Sequence, residues 1–145
     1  MSNISFYHIT LENQEKFACQ LLEKCYNSDY KVLVRLGNEE LQESLNKSLW
    51  TFAQKSFIPH GSSNDPDPEK QPIYITTGKD NPNAANVLML VDVMDGIYDE
   101  FERIFVVFSG NDGAFLRQVE EARHKLNTPS NKVQYYKQNA KGGWD

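Results

Sequence analysis

Short apolar runs suited to strands alternate along this chain with stretches whose apolar residues recur every three to four positions, and that alternation restricts the fold more than any other feature. Ser5 to Thr10 and Lys31 to Leu36 are rich in β-branched and aromatic residues. Between them Phe17, Ala18, Leu21, Leu22 and Cys25 mark a helix with one buried face. Gly37-Asn38 ends the second strand, and Asn38 is placed to cap a helix with Glu39 and Glu40 in its first turn and Leu41, Leu45 and Leu49 along one side. That second helix is expected to end near Trp50. Further strands are predicted at Ile73 to Thr77, Asn86 to Val93 and Arg103 to Ser109, the last two apolar on both faces, as in a sheet covered on both sides. Asn111-Asp112 suits the cap of a last helix carrying Phe115, Leu116, Val119, Ala122 and Leu126, closed by Thr128-Pro129-Ser130. Val133 to Gln138 is expected to add an edge strand.

Such an order predicts an α/β, doubly wound, mostly parallel sheet flanked by helices on both faces, with a mixed sheet as the variant. A length of 145 residues suits one domain spanning 1–145. Gly61 to Lys70, rich in Ser, Asp and Pro, reads as a surface loop inside that domain. The first residues lack a basic stretch followed by an apolar one, and no apolar run is long enough to cross a bilayer, so a cytoplasmic protein with no membrane partner is expected. Cys19 and Cys25 share the first helix at a spacing that fits no metal or redox motif, which predicts two buried, reduced thiols.

A net charge of −5 disfavours a surface that wraps nucleic acid, because phosphate affinity comes from clustered Lys and Arg. The charge is uneven, however. From Gly113 onward six Lys and Arg residues face three acidic ones, so this third carries about +3 and the rest about −8. A basic end on an acidic body suits a short acidic peptide better than a duplex.

The signatures of catalysis are missing. Neither a glycine-rich dinucleotide turn nor a phosphate-binding loop with its Lys follows any strand, so no nucleotide cofactor is expected, and a nucleotide-binding α/β enzyme lacking its usual loop is an alternative reading only. Asp92, Asp95, Asp99 and Glu100 form the densest acidic cluster; as a metal-dependent nuclease centre built on Asp92, Asp95 and Glu100 they would be the alternative reading, and as solvated strand-end acids they need no metal. His8, His60 and His124 stand far apart and without ligand spacing, and no nucleophile motif is present.

One block is unusual beside a polar loop: Leu49-Trp50-Thr51-Phe52, then Ser56-Phe57-Ile58-Pro59-His60-Gly61. Concentrated Trp, Phe and Pro serve either as core packing or as anchors of an interface, and the residues alone leave both open. With the acidic loop, Gln71 to Thr76 (QPIYIT), Asn83-Ala84-Ala85 ahead of an apolar strand, Phe105 to Arg123 (FVVFSGNDGAFLRQVEEAR) and the ending from Tyr135 to Trp144, the block resembles the chi subunit family of bacterial DNA polymerase III. The resemblance runs over nearly the whole chain from Phe6 and is looser in the last third.

That resemblance implies a Rossmann-like fold without a nucleotide site, no catalytic residue, and an accessory role in DNA replication. It implies two protein partners, a psi-type subunit of the clamp loader and the acidic, hydrophobic-ended C-terminal tail of single-stranded-DNA-binding protein, so that DNA is contacted only indirectly. The psi-facing surface would hold Trp50, Phe57, Pro59 and His60. The tail would be met by Arg123, with Lys125 and Lys132 as further cations. Here the sequence departs from the family pattern: Ala122-Arg123 fits, but Leu126 and Asn127 stand where an aromatic and a Lys belong. Read without the resemblance, Arg123 and Lys125 also serve as cations that solvate a helix end and complement its dipole.

Overall fold

The computed structural model describes residues 2–9, 14–52, 61–62, 71–78, 81, 83–93, 101–109 and 113–138. In chain order these form β1 (Ser2–Ile9), α1 (Gln14–Asn27), β2 (Val32–Leu36), α2 (Glu39–Phe52), β3 (Gly61–Ser62), β4 (Ile73–Thr76), β5 (Val87–Val91), β6 (Arg103–Ser109), α3 (Gly113–Leu126) and β7 (Asn131–Lys137). The seven strands make one sheet in the order β3-β4-β2-β5-β6-β1-β7. Among the described residues every pairing is parallel, and no antiparallel strand is found there.

Parallel neighbours cannot be joined by a tight turn, and the crossovers take helices to both faces. Helices α1 and α2 pack against each other on one face, where Ala18, Cys19, Leu22, Leu45 and Leu49 meet Val32, Val34, Ile73, Ile75, Val87, Met89 and Val107. On the other face Val119 of α3, with Phe115, Leu116 and Leu126, meets Ile4, Phe6, Ile104, Val106 and Phe108. All three expected helical stripes are therefore the ones that face the core. Central strands β2 and β5 are buried at every position, the pattern of a sheet interior covered on both sides.

Local chemistry sets several boundaries. The Asn38 carboxamide oxygen accepts the Leu41 backbone N–H at 2.9 Å, the expected cap of α2. Strand β5 stops at Val91, two residues before the sequence pattern does, because Asp92 enters the left-handed region at φ 53°. Asp92 then links β5 to β6: its N–H donates to the Val107 carbonyl at 3.0 Å and its Oδ1 accepts the Ser109 N–H at 3.4 Å. Gly61 and Ser62, expected in a loop, instead pair with Tyr74 and Ile75 as a short edge strand. Gly61 is buried, and a Cβ there would stand 2.8 Å from Cγ of Gln71, so the missing side chain is what admits this strand to the sheet.

The Asn83-Ala84-Ala85 turn ties the N-terminal edge of the sheet together. Asn83 is fully buried, and its Nδ2 donates at 3.1 Å to both the Val32 and Gln71 carbonyls, stitching the start of β2 to the segment before β4. Asn81 braces the turn, its Oδ1 accepting the Ala85 N–H at 2.9 Å while its Nδ2 donates to the Ala85 carbonyl. Ala84 holds φ 50° inside this clamp. Cys19 and Cys25 are both buried, as expected. Among the described residues no helix is long and apolar enough to cross a membrane.

Candidate functional site

The acidic cluster of Asp92, Asp95, Asp99 and Glu100 is described at one position. Only Asp92 of the set lies within the described residues, and its carboxylate is engaged by the β6 backbone as above. Asp95, Asp99 and Glu100 fall outside them. Among the described residues no three His, Cys, Asp or Glu side chains stand close enough to hold a metal ion. His8 is buried with its ring stacked on Phe108 at 4.7 Å, which is a packing role. Along the exposed flank of α2 a wide hollow of about 540 Å³ is lined by Glu39, Glu40, Glu43, Ser44 and Lys47.

The aromatic block is reached only in part. The backbone of Trp50 belongs to the last turn of α2, one residue after the fully buried Leu49. Phe57, Pro59 and His60 lie outside the described residues.

The cationic end is described in full between Gly113 and Gln138. Helix α3 carries Arg123, His124 and Lys125 in its last turn, where positive charge complements the helix dipole. At 3.6 residues per turn, Arg123 follows Val119 by one turn and so flanks the buried stripe on the side of β7. Its guanidinium sits 4.7 Å from the centroid of the Tyr135 ring. Tyr135 is itself fixed from below, with Phe6 stacked at 6.2 Å and Phe108 tilted at 6.3 Å. Burial, and next the nearby Glu120 carboxylate, push the Tyr135 phenol above its ordinary range, opposed by Arg123. The phenol thus stays neutral under an arginine that remains exposed, 44% of its side chain reaching solvent.

Arg123 also meets Glu120 one turn earlier, at 3.5 Å with both side chains about half exposed. A surface pair at that separation contributes about 0–1 kcal/mol and yields readily to a competing carboxylate. The other two cations do not converge on this point. Lys125 is about 200° further round α3 and exposed on its opposite flank. Lys132 is opposite Asn3 in the β1–β7 ladder and, by strand alternation, projects to the α1 side of the sheet, whereas Val133 and Tyr135 project to the α3 side. One arginine on one tyrosine is what the fold assembles. Tyr135 was not foreseen as its partner; the signal was present in the Lys132-Val133-Gln134-Tyr135 alternation, which assigns Tyr135 to the same face as Val133.

Comparison with known proteins points to one family. The family model for the DNA polymerase III chi subunit, HolC, matches residues 1–127. The probable DNA polymerase III subunit chi of Rickettsia prowazekii (strain Madrid E) is 37% identical over 156 aligned positions, covering 100% of this chain and 92% of that one. DNA polymerase III subunit chi of Haemophilus influenzae is 26% identical over 132 positions, with 87% and 91% covered, and that of Pseudomonas aeruginosa 26% over 108, with 72% and 75% covered. The family match ends at the foot of α3, so β7 and Tyr135 lie beyond it.

Proposed function

The chain belongs to the DNA polymerase III chi subunit family, and from that membership we propose that it is a non-catalytic link in the replication machinery, joining a psi-type clamp-loader subunit to single-stranded-DNA-binding protein. A chi subunit is an accessory subunit of the polymerase III holoenzyme and its work is DNA replication. Within that role the chain would act in the cytoplasm, touching DNA only through its partners.

The observation that carries the tail-binding half is the exposed Arg123 guanidinium held over Tyr135. A guanidinium offers a planar fork to a carboxylate, and resting on a ring it loses less freedom on binding than a solvated one. Tyr135 also supplies, from the strand, the aromatic surface that the helix lacks at Leu126. The acidic, hydrophobic-ended tail would set its terminal carboxylate on Arg123 and its last apolar side chains beside Tyr135. Lys125 and Lys132, on other sides of the molecule, contribute only to the positive field that steers the tail inward.

Calorimetric titration of a peptide with that tail chemistry tests the reading. Arg123→Ala should weaken binding by roughly tenfold to a hundredfold, the scale of one charge-assisted contact. Amidating the peptide's terminal carboxylate should weaken it similarly, and the effect should shrink in high salt. An unaltered affinity for Arg123→Ala would remove the site from this face. The psi-facing half rests on the aromatic block Trp50, Phe57, Pro59 and His60, and is supported by the sequence pattern and family membership. Trp50→Ala or Phe57→Ala should reduce affinity for the psi-type partner while the tail peptide still binds. Full affinity in both variants would move that interface elsewhere.

A further inference from the structure

Between α3 and β7 the fold places a cation that the charge pattern of the sequence does not single out. Lys137 closes β7, and alternation along that strand assigns it a face. Tyr136 stacks on Tyr7, which packs against the cluster on the α1 side, whereas Val133 and Tyr135 pack against the cluster beneath α3. Lys137 therefore projects to the α3 side with Tyr135. The ladder holds through this position, since Lys137 is paired with His8 and the next N–H, of Gln138, donates to the His8 carbonyl at 3.0 Å. Lys137 is exposed.

Register then fixes how Lys137 stands to Arg123. Helix α3 and β7 run in opposite directions: the Leu126 carbonyl accepts from Asn131 Nδ2 at 3.0 Å, the Arg123 guanidinium lies over Tyr135, and Phe115 meets Phe108 at 6.0 Å. Phe108 is paired with His8 and His8 with Lys137, so Lys137 ends the row that lies under the first turn of α3. Helical side chains lean towards the helix N-terminus, and that of Arg123 therefore leans along β7 towards Lys137. From Tyr135 to Lys137 the strand rises about 7 Å. Glu120, one turn before Arg123 and 3.5 Å from it, is an acidic side chain on the same flank. Two cations against one carboxylate leave this site positive.

We propose that Lys137 is the second cation of this site: it takes a side-chain carboxylate of the same peptide whose terminal carboxylate Arg123 holds. It thereby sets the direction in which the peptide lies, the last residue at Arg123 and the preceding ones along β7 towards Lys137. The inference rests on the tail-binding reading above. In an extended peptide, residues two or three places before the last stand about 7–10 Å from it, which matches the rise from Tyr135 to Lys137 once the reach of the lysine side chain is added. The terminal carboxylate displaces Glu120 from Arg123, a weak exposed pair, while the upstream carboxylate meets an ammonium on the strand.

The test is calorimetric titration of the full chain with peptides of about eight residues that end in an apolar residue with a free carboxylate. Each carries one Asp, or one Asn, at the third or the fourth place from its end. Lys137→Gln should weaken the Asp peptides about twofold to fivefold, the scale of an exposed ion pair, and change the Asn peptides little. Lys125→Gln and Lys132→Gln should treat Asp and Asn peptides alike, and thermal midpoints report that all the variants fold. An equal loss for both kinds of peptide with Lys137→Gln, no loss for either, or an Asp preference abolished instead by Lys125→Gln or Lys132→Gln would overturn the proposal. Arg123→Ala separates the two levels. If it binds the Asp peptides as tightly as the parent, the tail-binding reading falls and Lys137 with it; if it weakens them while Lys137→Gln does not discriminate, only the second cation falls.

Discussion

Removing the carboxamide of Asn83 should destabilise the fold more than its position in a turn suggests. Asn83 is fully buried and its Nδ2 donates to two carbonyls that belong to different segments, Val32 at the head of β2 and Gln71 ahead of β4. Asn83→Ala deletes both donors and leaves one buried and one half-buried carbonyl short of a partner. At roughly 1–1.5 kcal/mol for each bond in such a setting, the expected loss is about 2–3 kcal/mol. For a domain of this size that lowers the thermal midpoint by about 6–10 °C. Asn83→Asp separates hydrogen bonding from shape, since an ionised carboxylate of nearly the same size cannot donate to either carbonyl. At pH 7 it should be worse than Ala, because a buried charge faces two carbonyl dipoles. Burial favours the protonated acid and raises its folded pKa above the unfolded value, so this variant should recover stability as pH falls through the raised pKa. Urea unfolding at pH 5 and pH 7 measures both effects. A loss below about 0.5 kcal/mol for Asn83→Ala, or an Asn83→Asp variant that is insensitive to pH, would refute the stitch.

Asn38→Ala removes the acceptor of the Leu41 N–H and should cost about 1 kcal/mol, which Asn38→Ser or Asn38→Asp should largely restore in denaturant titrations. Burial pushes the Cys25 thiol up to about 11. A raised folded pKa stabilises below the unfolded value and loses that contribution as pH rises towards about 11, so Cys25→Ala, set against the parent, should flatten the decline in stability above pH 9. For the same reason iodoacetamide at pH 8 should label Cys25 slowly in the native protein and rapidly in urea, as mass spectrometry can follow. Tyr135→Phe keeps the ring under Arg123 and should leave tail-peptide affinity within a factor of about two, whereas Tyr135→Ala should lower it severalfold by freeing the guanidinium.

Much of the architecture was legible because it depends on short-range periodicity. The three amphipathic stripes, the Asn38 cap and all the longer strands are local patterns, and they fall where the residues put them. The misplaced ends have identifiable causes. Asp92 turns the chain at positive φ inside what reads as continuous strand, and Gly61-Ser62 becomes a strand because β4 offers an unpaired edge, which no local pattern announces. The candidate site divides in the same way. Arg123 is legible as a cation at a helix end, whereas its placement relative to Lys125 and Lys132 depends on helix phase and strand register.

What the residues determine unaided is therefore the set of elements, their buried faces and the sign of charge at the C-terminal end, since each follows from interactions within a few positions. Only the tertiary structure decides that β7 joins beside β1, that Tyr135 comes up beneath Arg123, and that Lys132 projects to the other side of the sheet. Those facts rest on strand order and register, which are set by how the whole core closes, and a one-residue shift in the β1–β7 ladder would send Tyr135 and Lys132 each to the other face.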